Sequence, residues 1–157
     1  MKTFQKIVEK LTQKGLKISM MESCTGGGIS NSITNIEGSS EVFEFCAVTY
    51  SNDYKIKMGV SKELIEKYSV YSFEVACDMA KAITSYTNSD YGIGVTGKLN
   101  RVDPHNNSGK DNEVFVSIYD KEKDIFNSFQ VTVTEETREK NKELVINRII
   151  EELEDMI

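Results

Sequence analysis

Lys17-Ile18-Ser19-Met20-Met21-Glu22 runs directly into Ser23-Cys24-Thr25-Gly26-Gly27-Gly28, after which Ile29, Ile33 and Ile36 recur at helical spacing. The first six residues are short and mostly apolar, which suits a buried strand. Three successive glycines then allow a tight turn and close backbone approach. The isoleucine spacing predicts a helix behind the turn. Strand, glycine-rich turn and helix is the unit from which α/β sheets are built, with ligands placed where strand ends meet helix starts.

The same reading extends in both directions. Upstream, Phe4, Ile7, Val8 and Leu11 predict an amphipathic helix over 3–14 that ends near Gly15. Downstream of the Gly38-Ser39-Ser40 break, Phe43 to Ser51 is rich in β-branched and aromatic residues and reads as a strand. Ser61 and Ser72 stand as N-caps of two further helices, the second with Val75, Ala76, Met79, Ala80 and Ile83 on one face. Tyr91 to Thr96, Val114 to Tyr119 and Ile125 to Val133 read as three more strands, and 135–156 as a terminal helix burying Leu144, Val145, Ile149 and Leu153. Residues 97–112 form a long polar loop, and such loops are usually functional or mobile. The expectation is one domain over 1–157: a three-layer α/β/α sandwich whose mixed sheet is covered by helices on both faces.

Composition narrows the function classes. The chain carries a formal net charge of −6 and a pI near 4.9, with no dense basic run to neutralise phosphates, so nucleic acid is not an expected partner. The acidic surplus from Glu135 to Asp155 reads as a solvated helix face. Cys24, Cys46 and Cys77 are an odd count without paired spacing, which fits a reducing cytoplasm rather than a disulfide framework. With one histidine, His105, and no Cys-x-x-Cys, no metal site is expected. The charged N-terminus lacks a signal-peptide core, and no apolar run is long enough to cross a bilayer.

Ser23 has two readings. It can cap the following helix, or its hydroxyl can act as a nucleophile beside backbone N–H groups that hold an oxyanion. The second needs a base. His105 is the one histidine available for a Ser-His-Asp arrangement, but it lies in the polar loop. A buried lysine is the alternative, since desolvation lowers its pKa toward neutrality. Lys55, in Tyr50-Ser51-Asn52-Asp53-Tyr54-Lys55, can reach the turn if the two strands are neighbours; read alone it is a surface lysine.

Glu22-Ser23-Cys24-Thr25-Gly26-Gly27, Gly38-Ser39-Ser40, Val48-Thr49-Tyr50-Ser51-Asn52 with Lys55, and Gly94-Val95-Thr96-Gly97 follow one another in this order. Together they resemble the CinA C-terminal domain family, a bacterial family whose stand-alone members include nicotinamide-nucleotide amidases. The resemblance implies hydrolysis of the nicotinamide mononucleotide carboxamide to nicotinate mononucleotide and ammonia, a step of NAD recycling that needs no cofactor. It implies Ser23 as nucleophile, Lys55 as base and Tyr50 as a hydrogen-bonding assistant. Thr25, Gly26 and Gly27 would supply backbone contacts to oxyanion or nucleotide. Asn52, Thr96, Gly97 and Arg101 complete the expected substrate-binding set. The resemblance also implies a small-molecule nucleotide substrate, a homo-oligomer, a cytoplasmic setting and no membrane partner.

The family pattern breaks after Gly97. A glycine- and proline-rich segment is expected there, whereas this chain has Lys98-Leu99-Asn100-Arg101-Val102-Asp103-Pro104-His105. Lys98 and Arg101 read either as phosphate ligands or as solvated loop charges. A binding module or an interaction subunit on the same fold is therefore the alternative to an amidase. Gly92-Ile93-Gly94-Val95-Thr96-Gly97 satisfies G-x-G-x-x-G, but it lies inside a strand with no helix after it, so it does not predict a dinucleotide site. No P-loop is present. Asn106-Asn107-Ser108 is a glycosylation triplet without meaning in a cytoplasmic protein. Cys24 is a rival nucleophile, though buried cysteine is the commoner state.

Overall fold

A computed structural model describes residues 1–157. Its elements run α1 (Gln5–Lys14), β1 (Ile18–Glu22), α2 (Gly28–Thr34), β2 (Phe43–Val48), α3 (Asn52–Lys57), α4 (Lys62–Tyr68), α5 (Phe73–Thr87), β3 (Tyr91–Gly97), β4 (Glu113–Asp120), β5 (Ile125–Thr132) and α6 (Arg138–Met156). The five strands form one sheet in the order β2-β1-β3-β4-β5. β1 pairs in parallel with both β2 and β3, while β3–β4 and β4–β5 are antiparallel. The sheet is therefore mixed, as expected.

Side-chain alternation explains the layers. Along β1, Ile18 and Met20 join the core beneath α1, α2 and α6, whereas Met21 joins the cluster beneath α5 with Val75, Met79 and Ile83. Burial on both faces is why this strand reads as a continuous apolar run. Along β3, Ile93 and Val95 face the first core, and Gly92 and Gly94 face α5. A Cβ on Gly94 would stand 2.2 Å from Ala76 O and 2.7 Å from Ala80 N. The G-x-G pattern is thus a seat for the α5 backbone. Gly94→Ala is expected to lower unfolding stability by ~2 kcal/mol or more, since only movement of α5 relieves the clash. A urea titration checks it, and an unchanged midpoint would contradict the packing account.

Ser61, Ser72 and Thr137 cap α4, α5 and α6 through their hydroxyls, the first two as read from the sequence. One expectation is corrected. The strand read over 43–51 stops at Val48, and Asn52–Lys57 is a helix capped by Ser51, whose Oγ accepts from Tyr54 N at 3.2 Å. Six residues are too few to show helical periodicity, so this helix left no pattern in the sequence. No helix is long and apolar enough to cross a membrane.

Candidate active site

Two parallel strands, β1 and β3, end side by side, and Ser23 prolongs their register by donating its amide to Val95 O at 3.1 Å. On the other flank, Thr49 N donates to Glu22 O at 2.8 Å, so β2 delivers the chain into α3 next to the same turn. The α3 helix turns Lys55 inward. Its Nζ donates to Ser23 Oγ at 3.1 Å and to Thr49 O at 2.9 Å, and the residue is only 2% exposed. Burial pushes the Lys55 pKa down to about 8, with Cys24 and then the Asp103 carboxylate opposing the shift. The surface-lysine reading of Lys55 is therefore overturned.

Ser23 lies on the wall of a cleft of about 500 Å³. Cys24 and Tyr50 to Asp53 form one side, and Gly97, Lys98, Leu99 and residues 101–106 the other. The amides of Cys24 and Thr25 donate to no acceptor in the chain, which leaves two N–H groups directly after the hydroxyl. Cys24 itself is buried, and burial drives its thiol up to about 12, so the protonated form dominates.

The glycine turn departs from expectation. The start of α2 is already occupied by Glu22, a fully buried carboxylate that accepts from Ile29 N and Ser30 N, both at 3.0 Å, and from Thr25 Oγ1 at 2.7 Å. A buried carboxylate satisfies the helix's free donors and its partial positive charge, so no ligand is needed there. Gly26 N closes the turn onto Ser23 O at 3.0 Å, and Gly27 faces a separate groove beside Ser30 and Cys46. Of Thr25, Gly26 and Gly27, only the Gly26 amide is bonded within the chain; none of the three lines the cleft.

Four further residues need placing. Tyr50 is exposed and lines the cleft; its hydroxyl accepts from Arg138 Nη2 at 3.0 Å and makes no hydrogen bond to Ser23 or Lys55. Thr96 is buried and donates to Val70 O at 2.9 Å, so it holds the fold and does not line the cleft. Asn52 lines the cleft and is bonded to Asn106 at 3.1 Å, while Arg101 reaches it from the loop. His105 also lines the cleft but makes no side-chain bond to Ser23; its backbone N donates to Asp103 Oδ1 at 2.9 Å.

Sequence reading missed Arg138, Tyr71 and Asp103. Arg138 lay in a stretch read as solvated, and nothing around Tyr71 marks it. Tyr71 donates its hydroxyl to Asp103, which also accepts from Asn106 Nδ2 at 3.2 Å. Burial and this bond raise the Tyr71 pKa. These contacts tie the long loop across the cleft.

Comparison with known proteins places the fold among solved relatives. Protein CihA of Agrobacterium tumefaciens, a competence/damage inducible protein, superposes with a TM-score of 0.84 at 27% identity, covering 94% of this chain and 89% of that one. A CinA superfamily protein of Escherichia coli shares the fold with a TM-score of 0.85 at 22% identity, over 98% and 87% of the two chains. A competence-damage inducible protein of Caldicellulosiruptor saccharolyticus is 48% identical over 92 residues, which is 58% of this chain and 22% of the relative. The chain thus matches about a fifth of the length of the curated relatives. The family model described as the CinA C-terminal domain matches residues 1–157, and the chain belongs to that family.

Proposed function

We propose that this protein is an amide hydrolase in which Ser23 attacks and Lys55 manages the proton, acting on nicotinamide mononucleotide or a closely similar small amide. The observation that supports it is the 3.1 Å contact between Lys55 Nζ and Ser23 Oγ, with the lysine buried and its pKa brought to about 8. In the neutral form the Lys55 lone pair accepts the Ser23 hydroxyl proton as Oγ bonds to the carboxamide carbon. The unbonded amide of Cys24, on the cleft wall, and that of Thr25 behind it are the candidate donors to the resulting oxyanion. Lys55 then returns the proton to the leaving nitrogen, the C–N bond breaks and ammonia departs. Water, deprotonated by Lys55, cleaves the acyl-serine to release the carboxylate product and restore both groups. A homo-oligomeric assembly belongs to the same reading, and sedimentation analysis tests it.

The base must lose its proton before it acts, so rate should follow the neutral fraction of Lys55. Below about pH 8, kcat/KM for ammonia release is expected to rise about tenfold per pH unit, then level off. A profile flat from pH 6 to 9 would contradict Lys55 as the base. Ammonia measured from nicotinamide mononucleotide is the decisive assay: none from the wild type, with the nucleotide still raising Tm, would replace catalysis with binding.

A further inference from the structure

Lys98 is the residue for which the dyad has no use. It follows the last residue of β3, lines the cleft and is only 3% exposed. Its Nζ makes one hydrogen bond, to Asp111 Oδ1 at the 3.5 Å limit, and sits 4.8 Å above the centre of the Tyr71 ring. Asp111 is half exposed, so this ion pair is weakened by solvent. A buried lysine with three donors and one marginal acceptor is costly unless something else engages it.

The backbone around it is held firmly. Lys98 N donates to Glu113 O at 3.0 Å and Arg101 N to Asp111 O at 3.2 Å, so both cations ride on a continuation of the β3–β4 pairing. The nearby Asp103 carboxylate already accepts from Tyr71, His105 N and Asn106, which lessens its opposition to an anion.

We propose that Lys98, with Arg101 beside it, forms an anion subsite in the cleft wall that receives a phosphate monoester of the substrate. Lys98 supplies a fixed, desolvated positive charge and Arg101 a mobile fork at the rim. Glu22 pairs with Val95 across the parallel strands, so Ser23 lies opposite Thr96 and Lys98 is two residues further on. Strand geometry puts the two backbones about 8 Å apart. The substrate therefore carries its phosphate several bonds from the amide. This inference rests on the amidase reading for its substrate, but not for its anion.

The test has two arms. Calorimetric titration of the wild type with inorganic phosphate and with ribose 5-phosphate should show binding that Lys98→Met weakens about tenfold or more. In ammonia release, Lys98→Met should raise KM for nicotinamide mononucleotide about tenfold, with kcat within about threefold, and leave nicotinamide riboside kinetics unchanged. No phosphate binding by the wild type, or equal affinity in a folded Lys98→Met, overturns the subsite; so does an equal loss on both substrates. If neither substrate is hydrolysed by the wild type, the amidase reading fails and the titration still decides the subsite. Should Lys98→Met not fold, Arg101→Gln, on an exposed side chain, must weaken phosphate binding about threefold or more, or the subsite falls.

Discussion

Ser23→Ala is expected to reduce ammonia release from nicotinamide mononucleotide by roughly a thousandfold or more, and Lys55→Met to match it. The two groups act as one unit, so the double variant should be scarcely worse than either single one. Stability separates the pair from a merely structural contact. An unfolded lysine titrates near 10.5, whereas folded Lys55 does so near 8. The cost of its buried charge is therefore full below about 8 and is relieved as pH rises from 8 to 10.5. Methionine keeps the length without the charge, so Lys55→Met should melt at or above the wild-type Tm at pH 7 while being inactive. An inactive variant that also melts far lower would mean that Lys55 serves packing. Full activity in Ser23→Ala would remove the nucleophile from the scheme.

The second large effect is on the fold. Glu22→Ala should lower unfolding stability by ~3–5 kcal/mol, because it strands the buried Ile29 amide and Thr25 hydroxyl and the half-buried Ser30 amide. For a chain of 157 residues, that corresponds to a fall in Tm of roughly 10 °C or more. Glu22→Gln keeps an acceptor oxygen of the same shape and should lose about half as much. Thermal unfolding of both variants checks the order. A Tm within about 2 °C of wild type in Glu22→Ala would show that the carboxylate does not hold the turn. Because Ser23 follows Glu22 directly, the Ala variant should also lose activity by more than its folded fraction explains.

The nucleophile and its turn were legible because their pattern is local. A buried strand, three glycines and an isoleucine-spaced helix are contiguous, and each follows from period and backbone freedom alone. The caps at Ser61 and Ser72 were legible for the same reason. The short helix carrying Lys55 was not, since six residues bury too little to show a period, and neither was the burial of Lys98, which a polar loop sequence disguises.

By itself, then, the sequence determined the α/β class, the strand–turn–helix at Ser23 and the resemblance that pairs it with Lys55. Tertiary structure alone decided which groups share the cleft. It turned Lys55 inward by setting β2 beside β1, and it filled the start of α2 with Glu22 instead of a ligand. It also brought Arg138, Tyr71 and Asp103 to the site from distant segments. The physical reason is that pKa, burial and hydrogen bonding depend on what packs within a few ångströms, and those neighbours here are separated by tens of residues along the chain.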